Sequence, residues 1–222
     1  MINKKSLIQF ILENKILTFG DFVTNSGRKT PYFCNFGFLS TAKKVRDLSD
    51  FYADKIISCF GSEVSNVFGP AYKGISLAIM VADSLSTKLG KEVSFTFNRK
   101  EAKDHGEKGL FLGHSYKGGE KVVIVEDVIT SGKSLFSARS LLSSVDINVL
   151  GSVVCIDREE SALNGKDKAR DSFIKETKTP LEALITVTDL FKTLEGEKTL
   201  RHNFNLDESI FSKVKGYQQN YF

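Results

Sequence analysis

The four residues Val122, Val123, Ile124 and Val125 run directly into Glu126 and Asp127, then into Val128, Ile129, Thr130, Ser131, Gly132, Lys133 and Ser134 and a helical pattern over residues 134–142. A continuous β-branched run suits a strand buried on both faces, as strands of parallel sheets are. Two carboxylates at the tip of such a strand are costly unless they find partners, and ribose hydroxyls or a metal-bound ligand would supply them. Residues 130–134 add hydroxyls, a flexible glycine and free amides at a helix N-terminus, where the helix dipole favours an anion such as a monophosphate. A plain strand–loop–helix connection with Ser and Thr as caps would look similar.

Gly132-Lys133-Ser134 also copies the tail of a Walker A loop. That loop requires glycine where this chain has Asp127, and a carboxylate there would repel the triphosphate, so a nucleoside triphosphatase is excluded.

The surrounding pattern predicts an α/β fold. Residues 41–60 set Val45, Leu48, Phe51, Tyr52, Ile56 and Cys59 on a helical period and predict a long amphipathic helix. Residues 64–68 predict a short buried strand, 74–89 a helix, 92–97 a strand with aromatic partners and 148–156 another apolar strand. Strand alternating with helix predicts a mostly parallel sheet flanked by helices, with the binding crevice at the carboxyl ends of the strands. The first forty residues differ: short runs at 16–22 and 31–38 surround the turn signal Asn25-Ser26-Gly27-Arg28 and predict a small β-rich N-terminal hood. Residues 183–187 predict a strand, and the helices after it carry no chemical motif. With no repeat or linker, residues 1–222 are expected to form one domain, residues 1–40 contributing to the hood.

Composition narrows the partners. The Lys and Arg residues behind the net charge of +4 are scattered, a weak pointer to a phosphate-rich ligand and a weaker one to nucleic acid, for which no basic block or helix-turn-helix is found. No apolar run approaches the roughly 18–20 residues of a membrane span. Lys4 and Lys5 precede an apolar run as in a signal peptide, but Gln9 interrupts it and Glu13 and Lys15 follow, so an amphipathic first helix is expected. Cys34, Cys59 and Cys155 are odd in number and widely spaced, which predicts reduced, mostly buried thiols in a cytoplasmic protein. His105, His114 and His202 stand at no metal-ligand spacing with them, so no structural zinc site is expected.

Two further segments carry chemistry. Phe68-Gly69-Pro70-Ala71-Tyr72-Lys73-Gly74 again leads a strand into a helix, with glycines that allow close backbone approach and a lysine suited to a diphosphate. Residues 97–109, FNRKEAKDHGEKG, form a charged run that on composition alone is a solvated surface loop.

Together these segments resemble the type I phosphoribosyltransferases, whose fingerprint is four hydrophobic residues, two acids and a Thr/Gly-rich phosphate loop. RKEAKDHG at residues 99–106, with GPAYKG at 69–74, resembles the orotate phosphoribosyltransferase family specifically. The resemblance extends from Phe19-Gly20 and Ser26-Gly27-Arg28 through Pro31-Tyr32-Phe33 to Cys155-Ile156-Asp157-Arg158. It implies Mg2+-dependent transfer of the 5-phosphoribosyl group from 5-phosphoribosyl 1-diphosphate (PRPP) to orotate, giving orotidine 5-monophosphate and pyrophosphate in de novo pyrimidine (UMP) biosynthesis.

Residue by residue, the resemblance implies that Tyr72, Lys73, Arg99, Lys100, Lys103 and His105 serve the PRPP diphosphate, with a cis peptide at Ala71-Tyr72. It implies that Glu126 and Asp127 hold the ribose and that Val128, Ile129, Thr130, Ser131, Gly132, Lys133 and Ser134 hold the 5-phosphate. Phe33 and Cys34 through their backbone, with Thr130 and Arg158, would meet orotate. Lys103, Asp127 and Glu126 would be catalytic. Mg2+ would ride on substrate oxygens with no assigned protein ligand. A homodimer is implied, its loop residues reaching into the partner's site and hinging near Gly106 and Gly109. The chain departs from the family at Asn25, where Lys is usual, at Cys34, where a second aromatic is usual, and at Lys133, where a small residue is commoner. Arg28 or Lys29 could replace the charge that Asn25 lacks.

Overall fold

A computed structural model describes residues 3–24, 27, 29–99, 109–162, 165 and 167–221. Helix α1 (Lys4–Glu13) is capped by the Asn3 side chain, which accepts from the Ser6 amide, and buries Leu7, Ile8, Ile11 and Leu12. The hood follows as an antiparallel pair, β1 (Leu17–Val23) with β2 (Lys29–Cys34). A 3-10 turn over Phe36–Phe38 closes it, so the predicted second run ends as a strand four residues early.

The amphipathic helix expected over residues 41–60 is α2 (Ala42–Phe60), with Thr41 accepting from the Lys44 amide as its N-cap. Next come β3 (Asn66–Gly69), α3 (Lys73–Leu89), β4 (Ser94–Asn98), β5 (Phe111–Gly113), β6 (Lys121–Ile129), α4 (Lys133–Leu142), β7 (Asn148–Asp157), α5 (Ala169–Thr177) and β8 (Leu181–Thr186). Helices α6 (Val187–Gly196), α7 (Lys198–Asn203) and α8 (Glu208–Tyr221) end the chain. The six core strands lie in the order β5-β4-β3-β6-β7-β8, all parallel except the short edge strand β5, which pairs antiparallel with β4.

Side-chain alternation along the central strands builds a core on each face of this sheet. Val123 and Val125 of β6, with Val153 and Cys155 of β7, join α1, α2, α3 and α6 on one face. Val122 and Ile124, with Val154, join Leu135, Ala138 and Leu142 of α4 and Phe173 of α5 on the other. Strand β6 is longer than its hydrophobic run predicted: the two carboxylates sit inside it, because Val128 and Ile129 still pair with Ile156 and Asp157 of β7.

Strand β3 turns into α3 through a backbone crossing that admits no side chain. A Cβ at Gly69 would lie 2.0 Å from the Gly74 carbonyl oxygen, and one at Gly74 would lie 2.7 Å from the Gly69 carbonyl carbon. Gly69→Ala should therefore cost about 2–3 kcal/mol of folding stability. Gly196→Ala, where nothing lies within 4 Å of the new methyl, should stay within about 0.5 kcal/mol. Urea melts of the two variants give the comparison, and equal midpoints would contradict the crossing.

Candidate active site

The strand order reverses between β3 and β6. From β3 the chain moves to β4 on one side, whereas β6, β7 and β8 step away on the other. Ligands of open α/β sheets bind at such a switch point, outside the carboxyl ends of the strands. A cleft of about 910 Å³ opens there, lined by Pro70 to Lys73, Asn98, Arg99, Glu126 to Leu135, Ser137, Ala138 and Leu141.

Glu126 and Asp127 form its floor and are only 6% and 7% exposed. Each is met by local donors. Glu126 Oε1 accepts from the Asp127 amide at 3.1 Å, its Oε2 accepts from the Ser134 hydroxyl, and its carbonyl accepts from the Tyr52 hydroxyl at 2.6 Å. Asp127 Oδ1 accepts from the Val128 amide at 2.8 Å, and its Oδ2 pairs with Lys73 Nζ at 3.1 Å. Lys73 begins α3, so this pair joins the two strand–helix turns across the cleft.

Burial, reinforced by the neighbouring Asp127 charge, pushes the Glu126 carboxyl up to about 7 against the bonds from Ser134 and the Asp127 amide. The pair faces a wall that carries Lys73 and Arg99.

The anion end is set by Gly132, left-handed at φ 79, which is the N-cap of α4 and brings no side chain to its first turn. Substituting a bulkier residue there is strained by φ alone. Helix α4 points its N-terminus into the cleft, where its partial positive charge suits a phosphate. The opposite wall is fixed by Asn98, whose Oδ1 accepts from the Ala71 amide at 2.9 Å, beside a cis Ala71–Tyr72 peptide.

Tyr72, Lys73, Arg99, Glu126, Asp127, Val128, Ile129, Thr130, Ser131, Gly132, Lys133 and Ser134 are thus gathered on one cleft. Lys100, Lys103 and His105, with Asn25, lie outside the described residues. Phe33, Cys34 and Arg158 do not line the cleft. Phe33 is half-exposed on β2, whereas Cys34 and Arg158 are buried. The Arg158 amide nevertheless donates to the Ile129 carbonyl at 3.2 Å, which sets it one residue from Thr130. Asn98 and Tyr52 were missed in the sequence. Asn98 had a signal, a polar side chain ending an aromatic strand next to Arg99; Tyr52 had none, being one of several apolar-face residues of its helix.

Among the described residues no three His, Cys, Asp or Glu side chains gather in a way that could hold a metal ion. The hard oxygen donors of the cleft are Glu126 and Asp127, enough to complement a cation that brings most of its ligands on a substrate, and not enough to encage one.

This fold and this site define a phosphoribosyltransferase, and the family model described as phosphoribosyl transferase domain matches residues 39–183. An orotate phosphoribosyltransferase of Clostridium botulinum is 38% identical over 98% of this chain and 97% of that protein. One from Acinetobacter baumannii is 40% identical over 87% of this chain and 89% of that protein. The crystal structure of the Francisella tularensis orotate phosphoribosyltransferase superposes with a TM-score of 0.80 at 30% identity, covering 97% of this chain and 98% of that one. The chain belongs to the orotate phosphoribosyltransferase family.

The raised Glu126 carboxyl has a sign that can be measured. The native state holds this proton more tightly than the unfolded chain, so the contribution to stability is complete below about pH 4.5 and is lost as pH rises toward about 7. Glu126→Gln should flatten that descent. Denaturant melts from pH 4.5 to 8 compare the two proteins, and parallel curves would show that Glu126 titrates normally.

Proposed function

We propose that the protein catalyses Mg2+-dependent transfer of the 5-phosphoribosyl group from PRPP to orotate, giving orotidine 5-monophosphate and pyrophosphate in de novo pyrimidine (UMP) biosynthesis. The observation that carries this reading is the carboxylate pair Glu126 and Asp127, set between the α4 N-terminus and the Lys73 turn at the switch point of the sheet. A ribose carrying phosphate at one end and diphosphate at the other matches that order of groups. The names of the relatives supply the acceptor base.

In the reaction, N1 of orotate gives up its proton to solvent or to the departing diphosphate and forms a bond to C1 of the ribose, while the bond from C1 to the diphosphate oxygen breaks, its electron pair leaving with pyrophosphate. Positive charge gathers on the ribose ring as that bond stretches. Asp127 and Glu126, accepting from the ribose hydroxyls, stabilise this charge by electrostatics fixed in advance. Val128, Ile129, Thr130, Ser131, Gly132, Lys133 and Ser134 anchor the 5-phosphate, and Tyr72, Lys73, Arg99, Lys100, Lys103 and His105 receive the diphosphate. Lys73, released from Asp127 when ribose hydroxyls take its place, becomes free to turn toward the leaving group. Mg2+, when bound, neutralises diphosphate charge and eases its departure. Phe33, Cys34, Thr130 and Arg158 are assigned to the orotate side.

We place the enzyme in the cytoplasm as a homodimer in which some of Arg99, Lys100, Lys103 and His105 reach into the neighbouring subunit's site. Its three cysteines are free thiols, Cys34 and Cys155 buried and Cys59 exposed, as a reducing compartment maintains them. Among the described residues no helix is long and apolar enough to cross a membrane, and nucleic acid is not a proposed partner.

With Mg2+ and PRPP, orotate should be consumed; turnover of uracil or a purine in its place would overturn the assignment. Asp127→Asn should lower kcat by roughly 100- to 1,000-fold, the usual loss when a fixed electrostatic partner of the transition state is removed. Mixing that variant with Lys103→Ala, each impaired alone, should restore activity through hybrid dimers, and no recovery would argue against shared sites.

A further inference from the structure

Outside the cleft, the described residues include a buried ionic cluster at the seam between the hood, the end of β7 and the C-terminal helix. Arg158 and Glu160 are each 3% exposed. Glu160 Oε1 accepts from Arg158 Nε at 2.7 Å, lies 2.6 Å from Arg158 Nη2, and accepts from the Tyr217 hydroxyl of α8 at 2.6 Å. Two nitrogens of one guanidinium and a phenol converge on one carboxylate oxygen in a buried seam, an arrangement that costs desolvation and is weak support for stability by itself.

What the cluster does follows from its other side. Arg158 Nη2 donates to Thr30 Oγ1 at 3.3 Å, and its guanidinium lies 4.6 Å from the ring centre of Tyr32. Burial pushes the Cys34 thiol up to about 12. Thr30, Tyr32 and Cys34 are the inward-facing residues of β2. One guanidinium therefore reaches Thr30 and Tyr32, two of the inward-facing residues of the strand that carries Phe33 and Cys34. At its backbone the same residue donates to Ile129, beside Thr130 of the phosphate loop. Tyr217 also packs edge-on against Tyr32, with ring centres 5.7 Å apart.

We propose that Tyr217 is a positioning residue for acceptor binding: through Glu160 it orients Arg158, and Arg158 sets β2 and its Phe33–Cys34 backbone at the correct distance from the phosphate loop. This rests on the orotate-transfer reading above and adds a part of the chain that lies outside the PRPP cleft. The C-terminal helix is in this view a component of base selection rather than a cover for the core.

Tyr217→Phe removes the hydroxyl and keeps the ring against Tyr32, and Thr30→Val removes the oxygen that Arg158 reaches on β2 while keeping its shape. Steady-state kinetics with each substrate varied in turn, together with thermal melts, make the test. Tyr217→Phe should raise the KM for orotate roughly 3- to 10-fold, the worth of about one ordinary intramolecular hydrogen bond, with the KM for PRPP and the melting temperature nearly unchanged. Thr30→Val should shift the orotate KM in the same direction, and the double variant should fall short of the product of the two single shifts, as members of one network do. An unchanged orotate KM, equal rises in both KM values, or independent effects in the double variant would each overturn the proposal. Wild-type protein that fails to use orotate would instead remove the functional reading, and with it this inference.

Discussion

Everything distinctive about this molecule depends on two neighbouring carboxylates buried in the central strand of an apolar sheet. Left alone, each would carry a large desolvation cost. The surrounding structure answers them one donor at a time: the Ser134 hydroxyl and the Asp127 amide for Glu126, the Val128 amide and Lys73 for Asp127. These donors come from the start of α4, from β6 itself and from the start of α3. Satisfying the carboxylates therefore fixes both strand–helix turns relative to each other, and the cleft is the space between them. Two of the four donors, the Ser134 and Lys73 side chains, face the cleft and can exchange a carboxylate for a ligand.

The sheet was legible because its signals are local. Residues 122–125 are β-branched without interruption, and 41–60 carry a full helical stripe that Thr41 caps. The extension of β6 past its acids was not legible, since it depends on pairing with β7 rather than on the residues' own preferences. Strand β5 escaped for a similar reason: three residues pairing on an edge leave no periodicity to read. The two motifs that line the cleft, at residues 69–74 and 122–134, were legible because each is one continuous strand–turn–helix. The partners that Asn98, Tyr52 and the Arg158–Glu160 pair find in the fold were not. They act across separations of 27, 74 and 57 residues, and nothing in a single sequence marks which distant side chains will meet.

The hood and the C-terminal helix illustrate how a small two-stranded sheet becomes rigid enough to serve a site. An isolated hairpin is marginal in water. Here β2 is held from beneath by Arg158, by the Tyr32 contacts with Phe191 and Tyr217, and by a backbone bond from Asn35 to Ile16. Its inner face is thereby continuous with the main core, while Phe33 on its outer face stays partly open to solvent.

The clasp at the far edge of the sheet has a different bearing. The Arg99 amide donates to the Leu110 carbonyl at 3.0 Å, and β4 and β5 continue from that bond as an antiparallel pair. The ends of the segment between them meet at that one bond, so a change in the segment's length leaves the register of the core strands as it is. Closing a longer excursion costs little, about 0.6 kcal/mol for each doubling of length. Selection can therefore tune that segment almost independently of folding, a separation of evolutionary risk that the carboxylate-bearing strand, locked between two parallel neighbours, does not enjoy.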